Sequence, residues 1–356
     1  MPKLDELLLN MDATGASDLH MAVGQKPKYR IDGDVVIQED YPVMGKDMVE
    51  EYLSEIMTAE QKESYLEGLD FDFAYGIADK FRFRCNYFFQ RTGYGAVFRI
   101  IPTKILTLEQ LNLPPVILKL TDLRSGLVLV TGPTGSGKST TLAAMINHIN
   151  ETQRRHILTI EDPVEFVHNN KKSMISHREV GNHTDSFASA LRAVTRQDAD
   201  VVLVGEMRDL ETISLALSAA AMGTLVYGTL HTNSAPKTID RVIDVFPTDQ
   251  QPQVRTMLAE SLRGIVAQQL LRKKSGKGRV AVNEILIGNR AVGSIIRDGK
   301  IEALISVLQS GRKEGMQEMD DALDKLVQKD MIDGKDAYMK AVAKKRFEKY
   351  MPQDDT

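Results

Sequence analysis

The spacing of hydrophobic positions predicts several short elements in the first part of the chain. Leu4, Leu7 and Leu8 follow the spacing of one helix face. The sequence GAS at 15–17 ends that helix. Stretches that alternate between apolar and polar positions predict strands. The predicted strands cover residues 18–22, 28–31, 34–37, 71–74, 81–90 and 95–100, and one helix covers 48–66. We therefore predict a small α+β domain over residues 1–100.

A different alternation begins at Gly126. Short apolar runs rich in β-branched residues predict buried strands, and stretches with helical spacing lie between them. These strands cover residues 126–131, 156–160, 201–204 and 225–230. Such alternation is typical of a doubly wound α/β domain. We assign this domain to residues 119–356, with a charge-rich helical region from about 294. Prolines predict a linker over 101–118.

Composition narrows the classes of protein that fit. With 356 residues, of which 42% are hydrophobic and 26% charged, the chain has the length of two ordinary globular domains. A net charge of -4 offers no broad basic surface, so nucleic acid is not an expected partner. Cys85 is the single cysteine, which excludes a disulfide and a four-cysteine zinc site. The uncharged stretch 212–230 could suggest a membrane span, but its glycines predict a break between a helix and a strand. We therefore expect a cytoplasmic protein.

The strongest chemical signal is GPTGSGKS at 132–139, which matches the P-loop pattern G-x-x-x-x-G-K-[ST]. It stands between a predicted strand and a helix, as a P-loop must. Glycines let the backbone N–H groups and the helix start face phosphate oxygens. Lys138 would add charge at the β- and γ-phosphates, and Ser139 would offer a hydroxyl to Mg²⁺. The predicted nucleoside triphosphate site comprises Gly132, Pro133, Thr134, Gly135, Ser136, Gly137, Lys138 and Ser139.

Two acidic clusters follow predicted strands of the same domain. Glu206 follows the apolar strand 201–204, where a carboxylate can reach Mg²⁺ or the attacking water. Glu161 and Glu165 follow another strand, at the edge where ligands bind open α/β sheets. Glu165 could orient or deprotonate water, and Glu161 could support the metal ligands. A surface glutamate and a solvated acidic turn are the alternative interpretations.

Basic groups could complete the site. His231 follows the strand 225–230 and could sense the γ-phosphate, although a structural histidine is the alternative. An arginine supplied from another domain or subunit can contribute about 10³–10⁵ in the rate of phosphoryl transfer. The candidates are Arg82, Arg84, Arg99, and Arg192 with Arg196 on one helix face. Unless the chain forms an oligomer, surface ion pairs are the better interpretation of each arginine.

Several sequences stand in the order found in one family. They are GPTGSGKST (132–140), TIEDPVEF (159–166), VVLVGEMRD (201–209) and YGTLHTNSA (227–235). In this order they resemble the secretion-superfamily ATPases of type IV pilus and type II secretion systems. Within that family, the chain is most similar to the retraction motors of twitching motility, over essentially its full length. GASDLHM (15–21), VFP (245–247) and GMQ (315–317) are also placed as in those motors.

The resemblance implies a PAS-like N-terminal domain and a RecA-like P-loop ATPase core that binds ATP and Mg²⁺ and forms a homohexameric ring. The motor would lie in the cytoplasm, peripherally associated with the inner membrane through the pilus platform protein, PilC in the family. A second retraction ATPase is a further implied partner. The family roles place Thr140 in the Walker A site, Glu206 in Walker B, Glu161 and Glu165 in the Asp box, His231 in the His box, Arg84 and Arg99 in an arginine pair, and Arg196 as a weaker match.

The implied function is ATP hydrolysis that powers pilus retraction by pilin depolymerisation. An accessory retraction ATPase of the PilU type is the alternative within this class, and a nucleic-acid translocase ring is the alternative outside it. Two departures matter. Thr224 stands where the family commonly has a first His-box histidine, which puts a two-histidine relay in question. The sequence AVGSIIRD at 291–298 diverges from the retraction-associated AIRNLIRE, which questions partner coupling; a locally packed amphipathic helix is the alternative there.

Overall fold

The computed structural model describes residues 2–31, 33–67, 70–78, 81–101 and 104–351. The chain divides into two compact units. One comprises Met1–Lys104 with Pro163–Val167, and the other comprises Ile105–Asp162 with His168–Thr356. Pro102 and Thr103 of the predicted linker, and the last five residues of the predicted core, lie outside the described residues. The domain limits 1–100, 101–118 and 119–356 stay predictions.

The described residues of the first unit form a six-stranded antiparallel sheet and three helices. Helices α1 to α3 span Lys3–Thr14, Lys46–Ser54 and Ala59–Leu66. Strands β1 to β6 span Asp18–Ala22, Lys28–Ile31, Asp34–Ile37, Phe71–Ile77, Phe81–Gln90 and Gly93–Ile101. Their order across the sheet is β3-β2-β1-β6-β5-β4. Strands β1 to β3 have the predicted bounds, and α1 buries its three periodic leucines.

The helix predicted over 48–66 is wrong as a single element. Helix α2 ends at Ser54, and α3 begins only after Thr58. The Thr58 hydroxyl accepts a hydrogen bond from the backbone N–H of Gln61 over 3.2 Å, and the Gln61 side chain accepts one from Thr58 N over 2.9 Å. This capping box satisfies N–H groups that a new helix start leaves without partners. The local cap therefore starts a second helix where apolar spacing alone indicated continuity.

The described residues of the second unit form a seven-stranded sheet covered by helices. Strands β7 to β13 span Gly126–Thr131, His156–Glu161, Met174–Glu179, Val201–Val204, Leu225–Leu230, Leu262–Arg272 and Arg279–Ile287. Helices α4 to α13 span Val116–Thr121, Lys138–Thr152, Phe187–Ala193, Leu210–Ala221, Ala235–Asp244, Gln251–Ser261, Arg290–Asp298, Leu304–Ser310, Met319–Gln328 and Gly334–Lys340. The strand order is β13-β12-β7-β11-β10-β8-β9.

Six strands of this sheet, in the order β12-β7-β11-β10-β8-β9, are parallel to one another. The edge strand β13 pairs with β12 in the antiparallel direction. The four predicted strands are confirmed. Strand β9, with the sequence MISHRE, was not predicted because it lacks an apolar run. The uncharged stretch 212–230 divides into α7 and β11, as expected. No helix in the described part of the chain has the length and apolar character needed to cross a bilayer.

Strand order decides which loops meet. The carboxyl ends of β7, β11, β10 and β8 lie side by side, because Thr131 pairs with Leu230 and Val204 pairs with both Gly228 and Ile160. The segments that follow these strands therefore meet at one edge of the sheet. They carry the P-loop, His231 and Glu206, and β8 itself ends at Glu161; these groups are far apart in the sequence. This edge is the place where open α/β sheets bind ligands.

Candidate nucleotide site

The P-loop joins β7 to α5, and its path requires glycine. Gly132 has a φ of 147° and Gly137 a φ of 84°. These positive φ values are energetically costly for any residue that carries a side chain. A Cβ atom at Gly132 would lie 2.2 Å from the carbonyl oxygen of Gln268. Lys138, the first residue of α5, donates from Nζ to the carbonyl of Gly132 over 2.8 Å and to that of Pro133 over 3.2 Å. The loop thus wraps around the Lys138 ammonium group at the positive end of a helix, where phosphate groups bind.

Glu206 is the centre of a charged cluster at the same sheet edge. Its Oε1 lies 2.9 Å from His231 Nε2 and is ion-paired with Arg208. The Glu206 side chain is 20% exposed. Burial alone would raise the pKa of Glu206, but the hydrogen bond and charge of Arg208, followed by those of His231, hold this pKa below its usual range. The site therefore presents an ionised carboxylate at neutral pH.

Backbone hydrogen bonds hold the turn that carries Glu206. Gly205 N donates to Ile160 O of β8 over 2.8 Å, and Met207 N donates to Thr229 O of β11 over 3.0 Å. The Thr229 hydroxyl donates to the carbonyl of Gly205. The turn is therefore attached to both neighbouring strands on either side of the glutamate. This attachment fixes the backbone from which the carboxylate extends, and His231 and Arg208 then hold the carboxylate itself.

The Asp-box acids occupy different environments. Glu161 is the last residue of β8 and is 9% exposed. A Cβ atom at Gly205 would lie 3.3 Å from Glu161 Cα, so Glu161 stands beside the Glu206 turn. Glu165 is half-buried in the segment Pro163–Val167, which groups with the first unit. The structure thus brings Glu161 to the cluster, and the role of Glu165 stays a prediction.

A cavity joins the P-loop to the His-box segment. Its volume is about 570 Å³. The described residues that line it are Pro133, His231, Thr232, Asn233, Lys237, Gln269, Met339 and Lys340. Pro133 and His231 therefore face one space. The two lysines add positive charge around it, which suits an anionic ligand.

Arg84 and Arg99 of the predicted N-terminal arginine pair are direct cross-strand partners on β5 and β6, and their catalytic role stays a prediction. Arg84 Nε lies 3.6 Å from Asp72 Oδ1, and Arg99 Nε donates to Asp18 Oδ1 over 2.8 Å. Like charges directly opposite on a sheet repel each other. The carboxylates offset that repulsion. The two guanidinium groups therefore stand side by side on one face of the first unit.

The expectation that Arg192 and Arg196 share one helix face is wrong. Helix α6 ends at Ala193, and Val194–Arg196 form a 3₁₀ turn. A 3₁₀ turn has about 3.0 residues per turn instead of 3.6, so it rotates Arg196 away from the α-helical direction. Arg192 pairs with Glu211 of α7, and Arg196 is exposed.

Three residues around the site were not singled out from the sequence. Arg208 pairs with Glu206, while Gln268 and Asn283 form hydrogen bonds beneath the P-loop. A signal was present for the latter two. Each is an amide side chain in the middle of a largely apolar strand, and an amide in that position must be hydrogen-bonded if it is buried.

Residues 3–332 match the sequence profile of the type II/IV secretion system protein family. The chain belongs to this family. It is 49% identical over 344 residues to the type IV pilus retraction ATPase PilT of Pseudomonas aeruginosa, covering 97% of this chain and 99% of that protein. It is 38% identical over 335 residues to the type IV pilus ATPase PilU of the same organism, covering 94% and 87%.

A solved member of the secretion-system family has the same fold. The crystal structure of the pilus retraction motor PilT with bound ADP aligns with a TM-score of 0.90 and 43% identity, covering 98% of this chain and 99% of that one. The predicted fold class is confirmed: a RecA-like P-loop ATPase core with a smaller, α+β, PAS-like N-terminal domain. The predicted resemblance to retraction motors is confirmed as well.

The position of Thr224 bears on whether a two-histidine relay could form in this secretion-system protein. Thr224 precedes β11 and bonds to Gly126 at the start of β7, whereas His231 follows β11. A strand rises about 3.3 Å per residue, so the two positions are roughly 20 Å apart. A histidine at position 224 would therefore lie at the opposite sheet edge from His231 of the same subunit.

The divergent segment 291–298 lies within the amphipathic helix α10. Val292 and Ile296 are buried, whereas Ser294 and Arg297 are exposed. A Cβ atom at Gly293 would lie 3.2 Å from a backbone oxygen of α9, so the glycine permits close helix packing. The apolar face is used in local packing. The substitutions relative to the family sequence therefore divide between a buried face and an exposed one.

Proposed function

We propose that this protein is an ATP-hydrolysing motor that powers type IV pilus retraction by pilin depolymerisation, for twitching motility. The observation that carries the proposal is the ionised Glu206, held by His231 and Arg208 at the same sheet edge as the P-loop, with β11 between their two strands. Similarity over nearly the whole chain to PilT supplies the biological context. A PilU-type accessory ATPase is the second candidate, and the lower identity to PilU favours the first.

The P-loop would hold the triphosphate of ATP. Its glycine backbone at 132–137 would bend around the phosphates, and the first N–H groups of α5, with Ser139 and Thr140 in the first helical turn, would face phosphate oxygens. Lys138 now bonds to loop carbonyls and would exchange these for the β- and γ-phosphates. Each of these groups stabilises negative charge, which is the main requirement of phosphoryl transfer.

Mg²⁺ fits the donor set at this edge. The Ser139 hydroxyl and the Glu206 carboxylate are hard oxygen ligands, which Mg²⁺ prefers, and they would hold it directly or through water. Bound Mg²⁺ would neutralise charge on the phosphates. His231 would keep the Glu206 carboxylate oriented and would sense the γ-phosphate through a hydrogen bond. Glu161 would support the metal ligands, and Glu165 would orient or deprotonate the attacking water.

A homohexameric ring would complete the site. In such a ring Arg84 and Arg99, with a smaller contribution from Arg196, would reach the nucleotide of a neighbouring subunit. Their guanidinium groups would stabilise charge in the transition state. Two adjacent arginines, each ion-paired with a carboxylate, support this role.

The proposed setting is the cytoplasmic side of the inner membrane. There the ring would act on a PilC-like platform protein, and a PilU-like ATPase would be a second component of the same machine. Nucleic acid is not proposed as a partner, because the net charge of -4 supplies no extended basic surface.

Retraction in living cells tests the function. The gene is deleted from its host and restored as wild type, as Lys138→Ala, or as a matched exposed-lysine control, Lys277→Ala. Labelled pili are then imaged. The deletion and Lys138→Ala strains should extend pili that do not retract, while Lys277→Ala restores retraction. Normal retraction in the deletion strain would contradict the proposal, and stimulation of the purified ATPase by DNA would favour a nucleic-acid translocase.

A further inference from the structure

A chain of buried hydrogen bonds lies beneath the P-loop. Gln268 on β12 donates from Nε2 to the carbonyl oxygen of Ser136 over 2.7 Å. Its Oε1 accepts from the Thr141 hydroxyl over 2.8 Å and from Asn283 Nδ2 over 3.0 Å. Gln268 is 1% exposed, and Thr141 and Asn283 are each 2% exposed. One amide thus connects the loop, the helix that follows it and strand β13.

Gln268 also contacts the two glycines that shape the loop. A Cβ atom at Gly132 would lie 2.2 Å from the Gln268 carbonyl oxygen, and one at Gly137 would lie 3.0 Å from Gln268 Nε2. Both glycines have positive φ. The loop therefore rests directly on this residue at its beginning and at its end.

The chain of hydrogen bonds extends to Gln317 in the sequence GMQ at 315–317. The proposed mechanism of ATP hydrolysis gives this sequence no role. Gln317 donates from Nε2 to the carbonyl of Asn283 over 2.8 Å. Gln317 and Ile285 also exchange backbone hydrogen bonds of 2.8 and 3.0 Å. The strand that carries Asn283 is thereby held on its outer side by Gln317.

We propose that Gln268 is a positioning residue for the P-loop, and that Gln317 supports it by holding Asn283 in place. The inference rests on the proposed function in one respect, namely that the P-loop binds ATP. A buried amide that is bonded in a single way specifies one arrangement of its partners. Loss of that arrangement would move the Ser136 carbonyl and the start of α5, and so weaken nucleotide binding.

Gln268→Glu is the most direct test. The side chain keeps its shape, but a carboxylate oxygen replaces the Nε2 donor and faces the Ser136 carbonyl. Leaving a buried hydrogen-bonding group without its partner costs enough free energy to change a binding constant by about 10- to 100-fold. We therefore expect the Kd for a fluorescent ATP analogue with Mg²⁺ to rise by about that factor. The full-length protein is used, with its melting temperature measured in parallel.

Asn150→Asp is the matched control. Asn150 is a fully buried amide on α5, the helix that also carries Thr141. It donates to the carbonyl of Asn169 over 2.8 Å and accepts from the N–H of Lys171 over 3.0 Å. This substitution should lower the melting temperature without changing the Kd. An equal rise in Kd for Asn150→Asp would overturn the proposal, because general destabilisation would then explain both results.

Thr141→Val and Gln317→Ala test the neighbouring links. Thr141→Val removes a donor to Gln268 with little change of volume, so it decides the matter if Gln268→Glu does not fold. We expect a higher Kd for Thr141→Val and a smaller rise for Gln317→Ala. A wild-type Kd for Thr141→Val or for folded Gln268→Glu overturns the role of Gln268. A wild-type Kd for Gln317→Ala overturns only its supporting role. If the wild-type protein binds no nucleotide, the proposed function fails as well.

Discussion

Asp18 and Arg99 form an ion pair across strands β1 and β6, in which Arg99 Nε donates to Asp18 Oδ1 over 2.8 Å. The carboxylate side chain is 5% exposed, whereas that of Arg99 is 65% exposed. Ser17 donates its hydroxyl to the other Asp18 oxygen over 2.7 Å. A buried, hydrogen-bonded anion therefore anchors an arginine that remains accessible. The motif at 15–21 therefore holds Arg99 in place, through the carboxylate of Asp18 and the hydroxyl of Ser17.

Arg99→Ala should abolish most ATP hydrolysis. An arginine that stabilises transferred phosphate contributes about 10³–10⁵ in rate, so we expect kcat to fall by about 10³-fold or more. Arg30→Ala is the control, because Arg30 also faces Asp18, at 3.9 Å, but is not part of the arginine pair. Steady-state phosphate release measures both variants. Equal losses for Arg30→Ala and Arg99→Ala would argue against a specific role of Arg99.

Mixed rings test whether Arg99 acts on a neighbouring subunit. Subunits with Arg99→Ala are mixed with subunits that carry Glu206→Gln, each inactive alone. Interfaces that combine an intact arginine from one subunit with an intact glutamate from the other should recover part of the ATPase activity. If the mixture stays as inactive as its components, the arginine does not act between subunits.

Glu206→Gln should separate turnover from binding. The amide keeps a hydrogen-bond acceptor for His231 but loses the charge that can assist water or Mg²⁺. General acid–base assistance contributes about 10²–10⁴ in rate, so kcat should fall by that amount while nucleotide affinity changes little. Glu260→Gln, an exposed glutamate on α9, should leave kcat unchanged. ATPase assays and nucleotide titration measure the two effects, and normal kcat for Glu206→Gln would remove Glu206 from the mechanism.

His168 should make the protein sensitive to mild acid. Burial, followed by the charges of His177 and Lys171, lowers the pKa of His168 to about 3. A lowered pKa in the folded state means that its stabilising contribution is complete above the unfolded value of about 6.5 and is lost as pH falls from there towards 3. The loss amounts to roughly 1.4 kcal/mol per pH unit within that window.

Removal of the titrating ring should reduce this acid sensitivity. We expect His168→Phe to flatten the fall of unfolding free energy between pH 6.5 and 4.5, by about 2–3 kcal/mol over that interval. Urea denaturation at both pH values measures it, and His148→Phe on α5 serves as the control. The same pH dependence in wild type and His168→Phe would contradict the prediction.

Glu284 should have the opposite effect on the pH dependence of stability from His168, because stability is lost as pH rises. The carboxylate is 6% exposed and accepts a hydrogen bond from Ala235 N over 2.7 Å at the start of α8. Burial raises its pKa, although backbone hydrogen bonds act against that increase. Its contribution to stability is therefore complete below the unfolded value of about 4.3 and is lost as pH rises through the raised folded value.

Glu284→Gln should consequently gain stability relative to wild type as pH increases. The amide oxygen can still accept from Ala235, and it has no charge to bury. Urea denaturation at pH 4.5 and 7.5 gives the difference in unfolding free energy between the two proteins. A difference that does not change with pH would show that Glu284 ionises as readily in the folded protein as in the unfolded chain.

Local patterns predicted those elements whose cause is local. The P-loop strand and helix and strands β1 to β3 follow from apolar spacing and turn residues close by in the sequence. The pattern failed where a neighbouring signal competed. Thr58 began a new helix inside the predicted 48–66, and a 3₁₀ turn after Ala193 redirected Arg196. Strand β9 had no apolar alternation to detect.

By itself, the sequence determined the P-loop, the candidate acids and histidine, and the α/β class, because each depends on residue types at short, regular spacing. Only the tertiary structure decided their neighbours. The order β7-β11-β10-β8 differs from chain order, and it brings His231 to 2.9 Å from Glu206. Strand register set Arg84 against Arg99, and strand packing placed Gln268 under the loop. These pairings join distant segments, so they depend on strand order and register, which no local spacing specifies.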